Sequence, residues 1–350
     1  MLECADCGRE YADRWRCECG HALEFATTPL PDADRREVDP REGLWAFPFL
    51  AVERRVSLGE GFSPLVEAPG WDAAFKLDYV FPTGSFKDRG AATTLSRAAA
   101  LGVDRVLEDS SGNAGAAIAT YAARAGIDCR VFVPASVKQS KRHALKRVGA
   151  DVVSVAGDRQ AVTDACLDAV RAGEGWYASH AWNPAFFEGT ATMAYEIAWQ
   201  RDWSVPDAVV LPVGHGTMLL GAYRGFRRLE RVGWTDRVPR LLGVQAAGYD
   251  PIARAFGGGS EGRNDLADGI QISEPARRDQ LVAAIEATGG DCIAVGEPAV
   301  ERELSALARA GFDTEPTCAV APAGLRAYRE RGTLDGDDAV VPLSGSGLKT

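Results

Sequence analysis

Lys87 is the residue whose neighbours best prepare an amine for chemistry. It lies in Phe81-Pro82-Thr83-Gly84-Ser85-Phe86-Lys87-Asp88-Arg89-Gly90, where Pro82, Thr83 and Gly84 impose a turn. Ser85 reads as the N-cap of a helix running through Ala91–Ala100, so Lys87 falls in its first turn. There the positive end of the helix dipole disfavours an ammonium and lowers the lysine's pKa. A neutral amine is what condensation with an aldehyde to a Schiff base requires. A merely solvated lysine would be unfavourable at a helix start and would explain nothing else. Six lysines stand against 33 arginines, so the choice is narrow. Lys349 is the rival, but no helix start prepares it.

Two further turns add anion sites. Asp109-Ser110-Ser111-Gly112-Asn113-Ala114-Gly115 follows an apolar strand and opens a helix, a setting that suits an amino-acid carboxylate. Ser110, Ser111, Gly112 and Ala114 are the candidate substrate contacts, and Asn113 is a donor toward a ring oxygen. A polar turn without a ligand is the other reading of this loop. Further on, the strand Ala208–Val213 runs into Gly214-His215-Gly216-Thr217, and a helix continues over Met218–Glu230. Backbone N–H groups from Gly214, His215, Gly216, Thr217 and Met218 suit one small phosphate. The turn lacks the third glycine of a dinucleotide fingerprint and the Lys-Ser/Thr of a P-loop. His215 either lines this loop or packs within it. Last, Ser344-Gly345-Ser346-Gly347 follows the apolar strand Val340–Leu343, so the tail is expected to be built into the fold.

The eight cysteines fall into two groups. Cys4-x2-Cys7 and Cys17-x-Cys19 have the spacing of a metal knuckle, each pair followed by a glycine that lets the chain turn beneath the ion. Residues 1–25 are too few to form a core, and a structural zinc ribbon would hold them folded. A disulfide pair or a degenerate site are the alternatives, with His21 as a substitute ligand. Four ligands leave no open position, so no catalysis is expected there. Cys129, Cys166, Cys292 and Cys318 lie in apolar stretches and read as small buried hydrophobes.

Positioning these loops falls to alternating strands and helices. Arg105–Leu107, Cys129–Val133, Asp151–Val155, Ala208–Val213 and Leu241–Gln245 read as strands, separated by Ala-rich helical segments. Ser140–Val148 reads as a helix ended by Gly149, and Ala161–Ala172 as another closed by Gly173. The alternation predicts an α/β protein with mainly parallel sheets, two rather than one for this length. A formal charge of −10 disfavours phosphate-backbone binding, and 27 aspartates give an acidic, salt-adapted surface. No apolar run approaches the length of a membrane span and no signal-peptide pattern is present. Cytoplasmic location is the expectation, with no nucleic-acid or membrane partner.

Together, Pro82–Gly90, Ser111-Gly112-Asn113, the 214–217 glycine loop and Ser344–Lys349 resemble the fold-type II enzymes that use pyridoxal 5′-phosphate (PLP). Threonine synthase and its relatives are the nearest match, and several of them also carry a Cys4 ribbon. The resemblance implies a two-domain, tryptophan synthase β-like α/β fold. Its parts would be a ribbon (1–25), a large PLP domain (26–84 plus 181–350) and a small one (85–180). Lys87 would carry the cofactor and then act as general acid and base. Asn113 would hold the ring oxygen, Gly214–Met218 the phosphate, and Ser344 the pyridine nitrogen. Conversion of O-phospho-L-homoserine to L-threonine is the implied reaction. A related elimination or replacement on a non-phosphorylated amino acid is the alternative, and homodimers are common among such enzymes. One departure bears on the substrate: Phe186 and Ala191 stand where the family pattern has a phosphate-gripping arginine and lysine.

Overall fold

The computed structural model describes residues 1–32 and 37–349. The first strands are β1 (Leu2–Cys4), β2 (Glu10–Tyr11), β3 (Leu23–Phe25), β4 (Leu65–Ala68) and β5 (Ala73–Lys76). Next come β6 (Arg105–Glu108), β7 (Asp128–Pro134), β8 (Asp151–Val155) and β9 (Trp176–Tyr177). The last are β10 (Ala208–Pro212), β11 (Arg240–Ala246), β12 (Asp291–Val295) and β13 (Ala339–Pro342). Helices α1 (Lys87–Ala100), α2 (Asn113–Ala125), α3 (Gln139–Arg147), α4 (Arg159–Arg171), α5 (Pro184–Gln200) and α6 (Thr217–Arg231) bear on the site. Among the described residues no helix is long and apolar enough to cross a membrane.

Packing groups the chain into two compact units. The first comprises Met1–Pro29, Glu42–Glu60 and Lys87–Gly189. Its main sheet is parallel, in the order β8-β7-β6-β9. Helices cover it, which is why β7 reads as the near-continuous apolar run Val131-Phe132-Val133 rather than as an alternation. The N-terminal residues add a small antiparallel sheet, β2-β1-β3, around Leu2 and Leu23. Trp15, in the connection between β2 and β3, packs edge-on against Tyr177 and Trp182, tying the ribbon to the β9 end of the parallel sheet.

The second unit comprises Leu30–Arg41, Gly61–Phe86 and Thr190–Thr350. It is built on a six-stranded sheet, β12-β11-β10-β13-β5-β4, parallel except where β4 runs antiparallel to β5 at the edge. β13 lies between β10 and β5, pairing Val340 with both Val209 and Ala74. The tail is therefore built into the fold, as its apolar run Val340-Val341 implied, and its strand is a central one in the sheet. Gly324 lets a helix (Val320–Glu330) close on this sheet, since a Cβ there would stand 2.2 Å from Val244.

Local expectations hold to within two residues for α3, α4, β8, β10 and β11, with one correction. Ser85 does not cap α1: its hydroxyl is buried without a hydrogen-bond partner, and its backbone bridges to Gly345 instead. The helix starts at Lys87 itself, because backbone pairing with residues 344–346 keeps residues 84–86 out of the helix.

Candidate active site

Lys87 opens α1, half-buried, with its amine 5.7 Å from the centre of the Phe186 ring. That ring is fully buried and fits only because residue 90 is glycine, where a Cβ would meet the ring at 2.4 Å. Gly189 permits the same close crossing of α1 and α5, since a Cβ there would stand 2.0 Å from the Arg89 carbonyl oxygen. Beneath α1, Tyr121 donates to buried Glu60, which also accepts from Trp45 and the Leu58 N–H. Burial, with Asp88 and Glu60 beside it, holds the Tyr121 hydroxyl protonated well above the usual phenol range.

The loop Asp109–Gly112 leads from β6 into α2. Its tight return depends on Gly115, where a Cβ would lie 1.8 Å from the Ser110 carbonyl oxygen. Ser110 Oγ accepts from the Gly112 N–H at 3.3 Å, and Gly112 is the N-cap residue of α2. Ser110, Ser111, Gly112 and Asn113 are partly exposed while Ala114 is buried. The first N–H groups of α2 lack intrahelical acceptors, so they can receive an anion. Asp109 is buried and accepts from Arg159, Thr163 and Tyr177. Its neighbour Glu108 meets His180 alone, with Oε1 3.2 Å from Nδ1. Sequence reasoning names Asp109 only as the start of the loop and misses Glu108, although a glutamate closing the apolar run Val106-Leu107 is a local conflict that could mark the place.

In the second unit, Gly214–Gly216 forms the turn from β10 into α6. Gly216 has φ +73°, the left-handed region that glycine tolerates, and is the N-cap residue of a 15-residue helix. Thr217 and Met218 are that helix's first residues, and both are buried; His215 is partly exposed. Ser344 is buried after β13, and its N–H donates to the Cys318 thiol at 3.1 Å. Cys318 is thus more than filler: burial pushes its thiol up to about 12 while contacts from Ser344 and Gly345 oppose the shift. The other scattered cysteines are buried as expected.

Other lysines are less suited to condense with an aldehyde. Lys76 is fully buried and held by Glu196 at 2.7 Å, the Ser63 carbonyl at 2.6 Å and Gln200 at 2.8 Å. Lys349 is exposed in a terminal turn.

Cys4, Cys7, Cys17 and Cys19 converge, with all four sulfurs within 4.8 Å of one another. The closest pairs, Cys4 with Cys19 and Cys7 with Cys17, stand at 3.5 Å. That is no disulfide, and it approaches the roughly 3.8 Å edge of a tetrahedron with about 2.3 Å metal–sulfur bonds. The four thiols fit one metal ion. His21 flanks the cluster, its Nδ1 3.4 Å from the Cys19 sulfur.

A glycine turn at a helix N-terminus, a lysine opening another helix and a buried serine after a central strand are each of the kind that a phosphorylated aldehyde needs. Solved structures share the architecture. A maize serine racemase superposes with a TM-score of 0.72 at 18% identity, covering 82% of this chain and 88% of its own. A threonine deaminase from T.th. gives 0.68 at 25% identity, covering 81% and 92%. The fold is that of the fold-type II PLP enzymes.

The family model for pyridoxal-phosphate dependent enzymes matches residues 56–345, and the chain belongs to that family. It is a PLP-dependent enzyme. Among its relatives, the threonine synthase of Methanocaldococcus jannaschii is 33% identical over all of this chain and 93% of its own length. That of Synechocystis sp. is 33% identical over 86% of this chain and 81% of its own.

Proposed function

We propose that the chain is a lyase of the threonine synthase type, converting O-phospho-L-homoserine and water to L-threonine and phosphate. The strongest support is that similarity to the M. jannaschii threonine synthase runs through the whole chain, ribbon included. In this reaction the Cγ–O bond breaks, phosphate departs, Cγ gains a proton, and water supplies the oxygen at Cβ. Bound PLP would supply the electron sink that makes the Cα proton removable.

This chain's residues would do the rest. Lys87 would hold the cofactor and its Nζ would then move the Cα proton, with the Phe186 ring excluding water on one side. Ser110, Ser111, Gly112 and Ala114 would seat the substrate carboxylate at the start of α2. Asn113 would hold the ring oxygen, and Gly214, His215, Gly216, Thr217 and Met218 the cofactor phosphate. Ser344 would bond the ring nitrogen; a neutral hydroxyl does not keep it protonated, which favours elimination and replacement over transamination. Zinc is the ion proposed for the four ribbon thiols, as a brace without an open position.

One observation favours a second reading, a non-phosphorylated amino acid. Phe186 and Ala191 are both fully buried, and neither brings a cation to a phosphoryl group. The two are separated by incubating the PLP-loaded enzyme with O-phosphohomoserine and measuring phosphate and threonine. Ammonia and a keto acid from serine or threonine, without that reaction, would mark the second. Borohydride followed by peptide mapping should place the cofactor on Lys87. Unchanged colour and turnover in Lys87→Ala would sink both.

A further inference from the structure

Asp109 directly follows β6, is buried, and has both carboxylate oxygens engaged. Oδ2 accepts from Arg159 at 3.0 Å and from Thr163 at 2.8 Å, and Oδ1 accepts from the Tyr177 hydroxyl at 3.1 Å. Arg159 also donates to the Asp109 carbonyl oxygen. These bonds hold the first residue of the turn into α2 against α4 on one side and β9 on the other. Hydrogen bonds to a buried charged group are strong, and removing a donor leaves a buried acceptor short of a partner.

Tyr177 leads from this anchor to the ribbon. It lies on β9, a two-residue strand at the edge of its sheet that pairs with β6 at Val106 and Leu107. So short an edge strand gains little from its own ladder and depends on side-chain packing. The ribbon supplies that packing. Trp15 meets the Tyr177 ring edge-on at 5.4 Å, and Trp176 donates to Asp13 at 2.7 Å. Trp15 packs against the same apolar cluster as Leu107, Val162 and Tyr177.

We propose that Asp109 is a positioning residue for the carboxylate-binding turn, and that the ribbon sets the order of that turn through Trp15 and Tyr177. The ribbon's contribution is then to substrate affinity as well as to the stability of the fold. The functional half rests on the reading of Ser110–Ala114 as the seat of the substrate carboxylate; the ordering of the turn does not.

The turn is built to pass a displacement on rather than absorb it. Ser110 Oγ accepts from the Gly112 N–H at 3.3 Å, and the Ala116 N–H donates to the Gly112 carbonyl at 3.0 Å. At Gly115 a Cβ would stand 1.8 Å from the Ser110 carbonyl oxygen, so the turn and α2 are already in close contact. A shift at Asp109 therefore moves Ser110 against the start of α2. Coupling of this kind travels through packed side chains and hydrogen bonds, and a double-mutant cycle measures it.

Tyr177→Phe tests this, because it keeps the ring that Trp15 packs on and removes the bond to Asp109. In the full-length protein the amides of Gly112 and Ala116 should exchange with solvent about tenfold faster, while those deeper in α2 keep their rates. Unchanged exchange at both amides would overturn the proposal, whatever the enzyme turns over. In the PLP-loaded enzyme, Tyr177→Phe should raise KM about tenfold for O-phosphohomoserine or L-serine, whichever the assays above establish. Its kcat should stay within about threefold and bound PLP should be unchanged. Trp15→Ala should raise KM similarly, add little in the Tyr177→Phe background, and be largely rescued by Trp15→Phe. Additive effects would remove the route from the ribbon. A lowered Tm with unchanged KM in Tyr177→Phe would reduce the contact to a structural one and remove the positioning role.

Discussion

The backbone N–H of Phe86 donates to the carbonyl oxygen of Ser344 at 3.0 Å. Ser346 donates to Gly84 at 2.9 Å and Ser85 bridges to Gly345, so the tail is stitched to the three residues before Lys87. Gly84 has φ +73°, and a Cβ on it would stand 2.9 Å from Lys349 Cδ and 3.4 Å from Ser346 Cβ. Gly84→Ala is expected to lower stability by about 1–2 kcal/mol and to weaken PLP binding. Gly59→Ala is the control: its φ is +86° but nothing lies within 4 Å, so it should incur the backbone strain alone. Urea unfolding and PLP titration separate the two effects.

Lys76 should prove structural. Lys76→Met leaves Glu196 buried without its cation, at a cost of about 3–5 kcal/mol. Borohydride should still fix the cofactor on Lys87 in whatever fraction folds. Recovery of labelled Lys76 peptide from the unaltered protein would contradict this.

The crossing of α1 and α5 makes a graded prediction. At Gly189 a Cβ meets backbone, which cannot yield, whereas at Gly90 it meets the Phe186 ring. Gly189→Ala should cost more than Gly90→Ala, each on the order of 1–3 kcal/mol. Phe186→Leu should partly rescue Gly90→Ala and leave Gly189→Ala unimproved, as a double-mutant cycle would show.

Glu108 predicts a pH dependence with a defined sign. Burial raises its folded-state pKa, so between the ordinary carboxyl range and that raised value the native state binds more protons than the unfolded chain. Stability from this group is complete below about pH 4.5 and falls as pH rises, by up to about 1.4 kcal/mol per pH unit. Glu108→Gln should therefore flatten the slope between about pH 5 and 7. Parallel slopes in the two proteins would show that Glu108 is ionised in the fold.

Metal removal should be felt beyond the ribbon. Asp13 accepts from Arg97 on α1 at 2.8 Å and from Trp176 on β9 at 2.7 Å, and Trp15 packs on Tyr177 and Trp182. A strong chelator, or Cys17→Ser, should remove the proposed zinc, read as one ion per chain by elemental analysis, lower Tm and alter tryptophan fluorescence. A metal-free protein with wild-type Tm would mean that the ribbon does not brace this unit.

The division between sequence and structure follows the range of the interactions. Local structure that depends on a short stretch of chain was legible from residue order alone. A glycine turn opening a helix, a lysine after Pro-Thr-Gly, and paired cysteines each carry their reason within a few residues. The same holds for βα alternation, set by where apolar runs and helix breakers fall. What tertiary structure decided were the long-range facts. Ser85 looks like a cap, but pairing with Gly345 draws its backbone away and leaves α1 to start at Lys87. Cys318 reads as filler and becomes the partner of Ser344. Glu108 and His180 are far apart in the chain and meet only because β6 and β9 lie side by side. Protonation follows from burial and neighbours, and a sequence specifies neither until the chain has folded.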